Sequence, residues 1–257
     1  SGRLQTGEGV QPNNGNTLYA LRGNLSTEFT ENVSVQFSGS YTRSNFTRVS
    51  NGTAIADPIT MLEVGDALRF TGTNSLQEAL RVATLPKIKE GVDRYRLSGK
   101  TNYKPSELFT TSLTIGIDGR VNEQRALFPR GADFLTGNTN GGLTRFNRDF
   151  RSLTIDYRGT ISYPREGPIT SDFTFGAQGF RDEESRVWVE AEGFALPGTE
   201  DVGEAATKTS DELREQVFNG GFFFKEQLAY EDRLFFNPGI RFDGNSAFGE
   251  DVDLQAY

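Results

Sequence analysis

The feature that most limits what this chain can fold into is a period of two in hydropathy, held over runs longer than an ordinary strand. From Tyr19 to Phe29, one alternating set reads Tyr19, Leu21, Gly23, Leu25, Thr27 and Phe29, and the other reads Ala20, Arg22, Asn24, Ser26 and Glu28. After Thr30-Glu31-Asn32 the pattern resumes, with Val33, Val35, Phe37, Gly39 and Tyr41 against Ser34, Gln36, Ser38, Ser40 and Thr42. Successive side chains of a strand point to opposite faces, so each run has one apolar and one polar face. Two such runs across a tight turn form a hairpin.

Three more hairpins follow. Tyr95, Leu97, Gly99, Thr101 and Tyr103 lead through Lys104-Pro105-Ser106-Glu107 to Phe109, Thr111, Leu113, Ile115, Ile117, Gly119 and Val121. Leu153, Ile155, Tyr157, Ile161 and Tyr163 precede a turn with two prolines and Gly167, which blocks strand continuation, and then Phe173, Phe175 and Ala177. The last hairpin runs from Val217 to Leu228 and returns through Leu234, Phe236, Ile240 and Phe242. In Gly220-Gly221-Phe222-Phe223-Phe224 the alternation fails, so the faces of 217–228 stay unassigned. The spacing predicts about eight strands. Turns inside hairpins are short, while the connections Ser44–Val92, Gln124–Arg148 and Asp182–Arg214 read as long loops. A short helix is expected over Ser75–Val82, with Ser75 as N-cap and Glu78 completing a capping box.

Short turns on one side and long loops on the other fit an outer-membrane barrel better than a soluble sandwich. The runs last about nine to thirteen residues, against about 5–6 for a globular strand and about 9–11 for a tilted membrane strand. The apolar faces of the first five runs hold no Asp, Glu, Lys or Arg. Tyr19, Tyr41, Tyr95, Tyr103 and Tyr163 sit near their ends, as an interfacial girdle would, although tyrosine is also simply favoured in strands. The opposite faces mix Ser and Thr with Arg22, Arg96, Lys100, Asp118, Arg120, Asp156, Arg158, Arg241 and Asp243, which suits a wet lumen. The solvated outside of a soluble sheet would look similar. The expectation is therefore an all-β, antiparallel, up-and-down transmembrane barrel, partial at about eight strands. Leu21, Phe37, Leu97, Leu113, Ile115 and Ile155 should face lipid; Arg22, Gln36, Lys100, Asp118 and Arg158 should face the lumen.

Composition narrows the chemistry. The 257 residues contain neither His nor Cys, which removes thiol nucleophiles, disulfides, Ser-His-Asp triads and His- or Cys-based metal sites. A net charge of −8 disfavours nucleic acid as a partner. No apolar run approaches the ~18 residues of a membrane helix, and the start SGRLQTGEGV does not read as a signal peptide. Glu183/Glu184, Glu190/Glu192 and Asp251/Asp253 are carboxylate pairs expected by chance among 35 acids. Asp243-Gly244-Asn245-Ser246 with Asp251 and Asp253 lacks EF-hand spacing. The Gly-Gly pairs 141–142 and 220–221 are not phosphate loops, and Asn24-Leu25-Ser26 and Asn32-Val33-Ser34 are sequon matches of little weight. No catalytic, cofactor or metal site is expected, and no enzyme.

The last run adds a resemblance. The stretch from Arg233 to Gly249, with Arg241, Phe242, Asp243, Ser246, Phe248 and Gly249 at the defining positions, resembles the barrel segment of SusC/RagA-type TonB-dependent outer-membrane receptors. Asn24–Phe37 and Phe222–Gln227 share its cadence. The resemblance implies a barrel of about 22 strands around an N-terminal plug, located in the bacterial outer membrane. It implies import of a large solute such as a glycan or peptide, with TonB and a surface lipoprotein as partners. On this reading residues 1–257 are a barrel segment, with the plug domain and the remaining strands absent. Phe146, Trp188 and Phe194 become candidate loop contacts to the solute, although packing within the loops is the simpler role for each. Two other readings stay open: a complete eight-stranded outer-membrane barrel with a structural or adhesive role, and a soluble β-sandwich or solenoid binding module.

Overall fold

The computed structural model describes residues 1–11, 13–49, 75, 77, 81, 84–130, 140–198, 200–231, 233–248 and 255–256. They form one antiparallel sheet of eleven strands. Seven are long: β2 (Gly15–Thr30), β3 (Val33–Arg48), β4 (Lys87–Tyr103), β5 (Phe109–Phe128), β6 (Gly142–Glu166), β7 (Ile169–Phe194) and β8 (Ala205–Tyr230). The short ones are β1 (Gly2–Glu8), β9 (Leu234–Phe236), β10 (Gly239–Asn245) and β11 (Gln255–Ala256). Neighbours in sequence are neighbours in space from β1 through β8, then β10 and β11. The strand β9 pairs with β8 just before β10 does. Pro238 separates β9 from β10, since it has no N–H for the ladder. Its carbonyl oxygen instead accepts from the Glu226 N–H at 2.9 Å.

All four expected hairpins are present, and the all-β up-and-down class holds. Three expectations are corrected. The strands number eleven rather than about eight, because β1 carries no hydropathy period and β9 and β11 are very short. The strands reach 26 residues in β7 and β8. They absorb most of the supposed loop Asp182–Arg214 and both ends of Gln124–Arg148. The meander also does not close as an eight-stranded barrel: among the described residues β1 pairs only with β2, and β11 only with β10. The helix expected over Ser75–Val82 lies largely outside the described residues.

Register places every residue whose facing was expected. Leu25, Phe37, Gly99, Ile115 and Ile155 are successive partners across β2 to β6. Gln36, Lys100, Thr114, Asp156, Gln178, Gly221 and Asp243 form a row on the other face, from β3 to β10. The apolar face is open. Leu21, Phe37 and Leu97 are each more than half exposed, whereas a soluble sheet would cover them. A patch of rings, Phe173 on Phe224 at 6.3 Å and Phe222 on Phe242 at 5.0 Å, continues the band across β7, β8 and β10. The faces that sequence left unassigned are thereby settled: Phe222 and Phe224 lie on the apolar face and Phe223 on the polar one.

The upper edge of the band is marked by Tyr41 opposite Tyr95. Tyr95 lies flat over Gly119 of β5, where any Cβ would overlap its ring. Beyond this line β3 to β8 continue, β5 to β8 furthest, with charged and polar residues on both faces. At their tips a small core of Leu127, Leu143, Ala191, Phe194 and Ala205 packs beneath the 3-10 turn Val202–Glu204.

Candidate functional site

The polar face divides into a wall opposite the apolar band and a taller wall above it. In the lower wall, hydrogen bonds cross strands. Arg96 pairs with Asp118. Gln178 donates to Asp156 at 2.7 Å, and Arg241 donates to Gln178 at 3.3 Å and to Asp243 at 2.7 Å. Residues of β7 and β10 meet here because the strand between them presents Gly221. A Cβ there would collide with the Asp243 carboxylate. The Arg158 guanidinium lies 5.7 Å from the centre of the Phe223 ring.

This arrangement gives the motif residues distinct places. Arg241 and Asp243 belong to the polar network, while Phe242 stacks on Phe222 on the opposite face. The Ser246 Oγ accepts from the Phe218 N–H at 2.8 Å, tying the end of β10 to β8. Phe248 ends the 3-10 turn Ser246–Phe248, and Gly249 lies outside the described residues.

In the upper wall, Phe46, Glu90, Gln124, Phe146, Trp188 and Asp211 are successive register partners from β3 to β8. Phe146 and Trp188 are strand residues, which corrects their placement in loops. Their rings meet edge to face, 6.1 Å apart at 67°, and about half of Trp188 is open to solvent. Phe194 is not with them. It is buried in the core at the tips, 3% exposed, and offers no surface to a solute.

Charge frames the aromatic pair. Glu184 sits between Arg186 and Arg148, with the Arg148 Nη2 at 3.1 Å. The Arg186 hydrogen bond first, and Arg148 after it, outweigh partial burial and hold the Glu184 carboxyl down to about 2. Glu90, buried, pairs with Arg48 at 2.5 Å and accepts from Asn122 at 3.0 Å. Sequence reasoning missed this set. Its one available signal was parity: even-numbered residues of β4 to β7 continue the polar face seen lower down.

The carboxylate pairs singled out in the sequence have different placements: Glu190 and Glu192 are two apart in β7 and share a face. Glu183 and Glu184 are adjacent in a strand and so face opposite ways, and Asp251/Asp253 lie outside the described residues. Among the described residues no group of His, Cys, Asp or Glu could hold a metal ion. The upper wall presents a ring pair flanked by hydrogen-bond donors and acceptors.

No protein-family model and no curated protein matches the chain. Solved structures do. The chain superposes on the RagAB peptide transporter with a TM-score of 0.72 at 11% identity, covering 95% of this chain and 29% of that one. It superposes on BauA, the ferric preacinetobactin receptor from Acinetobacter baumannii, with a TM-score of 0.60 at 10% identity, covering 100% of this chain and 38% of that one. For the ferric citrate transporter FecA the TM-score is 0.60 at 9% identity, covering 96% and 33%. The fold is that of part of an outer-membrane β-barrel. Because this chain spans less than a third of RagAB's length, the likeness is between its open sheet and part of such a barrel. The RagA-type resemblance read from the sequence is thus joined by a likeness in overall backbone shape. In the barrel arrangement the apolar band is the outer surface, and both polar walls line the interior.

Proposed function

We propose that residues 1–257 are a barrel segment of a SusC-type, TonB-dependent receptor in the bacterial outer membrane, and that the intact protein imports a large solute, a peptide or a glycan. One observation carries the reading: a sheet shaped like part of the RagAB barrel has a continuous uncovered apolar band on one face and a hydrogen-bonded polar wall on the other. An uncovered band of this kind needs lipid against it.

The upper polar wall is the vestibule. Phe146 and Trp188 give a solute apolar edges and faces to lie against. Gln124, Asp211 and the Arg148–Glu184–Arg186 group give it hydrogen bonds. Binding there precedes passage along the lower wall past Lys100, Asp118 and Arg158. TonB supplies the energy, and a surface lipoprotein covers the mouth. The motif residues Arg241, Asp243 and Ser246 hold the β8–β10 edge in register and do not touch the solute.

The test is uptake by cells carrying the full-length protein. Labelled oligopeptides and oligosaccharides are offered to cells with and without functional TonB. Accumulation of one class that disappears without TonB supports the proposal. Equal accumulation in both strains, or none of either class, overturns it.

A further inference from the structure

On the polar face, level with the tyrosine line, two arginines stand side by side without a counter-ion. Arg94 of β4 and Arg120 of β5 are direct register partners, next to Tyr95 and Gly119. Both share the face of Lys100 and Asp118, as residues an even number of positions away along the same strands. Direct cross-strand partners stand about 4.5–5.5 Å apart at Cβ, and like charges so placed repel. Among the described residues neither guanidinium forms an ion pair. Asp118, two residues before Arg120, is taken by Arg96. Arg22, likewise without an ion pair among the described residues, adds positive charge in the row of Arg96. The far end of the arginine row is balanced, since Glu184 and Glu215 are matched by Arg148 and Arg186.

Arg120 is half-buried, and its Nε is enclosed with no hydrogen-bond partner among the described residues. An enclosed donor left unmade costs stability, which fits a group held ready for an acceptor from outside the sheet. Arg94 is exposed on the polar side. The pair stands at the foot of the upper wall. Phe150, the register partner of Arg120, lies four residues below Phe146 on β6, about 13 Å at ~3.3 Å per residue. A solute lying against Phe146 and Trp188 therefore reaches the pair with one extended end before it enters the lower wall. Adjacent guanidinium groups grip a carboxylate with paired hydrogen bonds.

We infer that Arg94 and Arg120 bind a carboxylate of the solute at the foot of the vestibule, so that the intact receptor selects an acidic solute over its neutral counterpart. This site rests on the receptor reading proposed above. The carboxylate belongs to an acidic oligopeptide or to a uronate of an oligosaccharide, and the pair meets the same group in each.

The full-length protein in uncharged detergent micelles is offered two mixtures. One holds capped heptapeptides with Glu or Gln at the centre in equal amounts, the other positions being randomised among uncharged residues. The other holds oligogalacturonates and their methyl esters in equal amounts. Retained molecules are identified by mass spectrometry. In one of the two mixtures the acidic form is expected to be retained roughly tenfold or more over the neutral one. R94Q/R120Q should bring that ratio close to one, and R94K/R120K should keep part of it, since charge remains where the planar fork is lost. Without solute, R94Q/R120Q should resist denaturant at least as well as the wild type, because a repulsion is removed. Equal retention of acidic and neutral forms, or selection that survives in R94Q/R120Q, overturns the inference. So does a loss of stability in R94Q/R120Q, which would mean that a carboxylate elsewhere in the intact barrel already neutralises the pair. Retention of nothing from either mixture overturns the receptor reading together with it.

Discussion

At the scale of single residues, Trp188 and Glu184 carry the most specific consequences. Trp188 is half open and meets Phe146 edge to face, so Trp188→Ala removes the larger apolar surface of the vestibule wall. Solute binding by the full-length receptor is expected to weaken roughly ten- to a hundredfold, measured by calorimetry, with the barrel still assembled. Glu184 lies three residues beyond Arg181, where charge on both faces marks the end of the apolar band. Its folded-state pKa of about 2 is below the ordinary 4.5. Its ion pairs therefore stabilise the wall fully above the unfolded value, and that contribution is lost as pH falls through about 2. Discounted for two partly exposed arginines, the contribution is on the order of 1–2 kcal/mol. Hydrogen exchange should show amides around Glu184 losing protection between pH 4.5 and 2, and Glu184→Gln should abolish that pH dependence. The role of Glu184 was not legible in sequence. Trp188 was visible as an aromatic, but its partner is known only once β6 and β7 are in register. Arg241 likewise meets Gln178 only because Gly221 stands between them.

At the scale of elements, the strands have two zones with different legibility. Within the band, lipid on one side and water on the other impose opposite demands on alternate residues, so Leu153 to Tyr163 could be read directly. Above it both faces meet water and the demand for alternation disappears. Arg181-Asp182-Glu183-Glu184-Ser185-Arg186 is a strand with no hydropathy period at all, and its backbone pairing alone makes it one. The same holds for β1. This zoning predicts an asymmetry between faces. Ile115→Arg on β5 places a charge in the band and should cost about 2–4 kcal/mol near mid-membrane. Lys100→Leu, on the polar face of the neighbouring strand, should cost much less. Folding titrations of the full-length protein into lipid vesicles would show the difference, and equal costs would contradict the assignment of faces.

At the scale of the whole molecule, one curved sheet separates two environments and has little conventional core. Its apolar contacts are spread over an open face, with a compact cluster only at the tips. Spin labels in reconstituted full-length protein should report the partition. A label at position 115 should be reached by a lipid-soluble quencher, and one at position 100 by an aqueous quencher. The reverse would make the apolar face an interior and return the chain to the soluble class.

The height of the wall also bears on how such a surface can diverge between lineages. Its vestibule residues sit in hydrogen-bonded ladder rather than in loops, so they share the ladder's arithmetic. Inserting one residue into β7 just before Trp188 would turn the indole from the interior to the exterior, and every residue from there to the tip with it. Inserting two would keep each side chain on its own side. Diversification of this wall is therefore channelled into substitutions and paired insertions, and free changes of length are left to the connections at its rim.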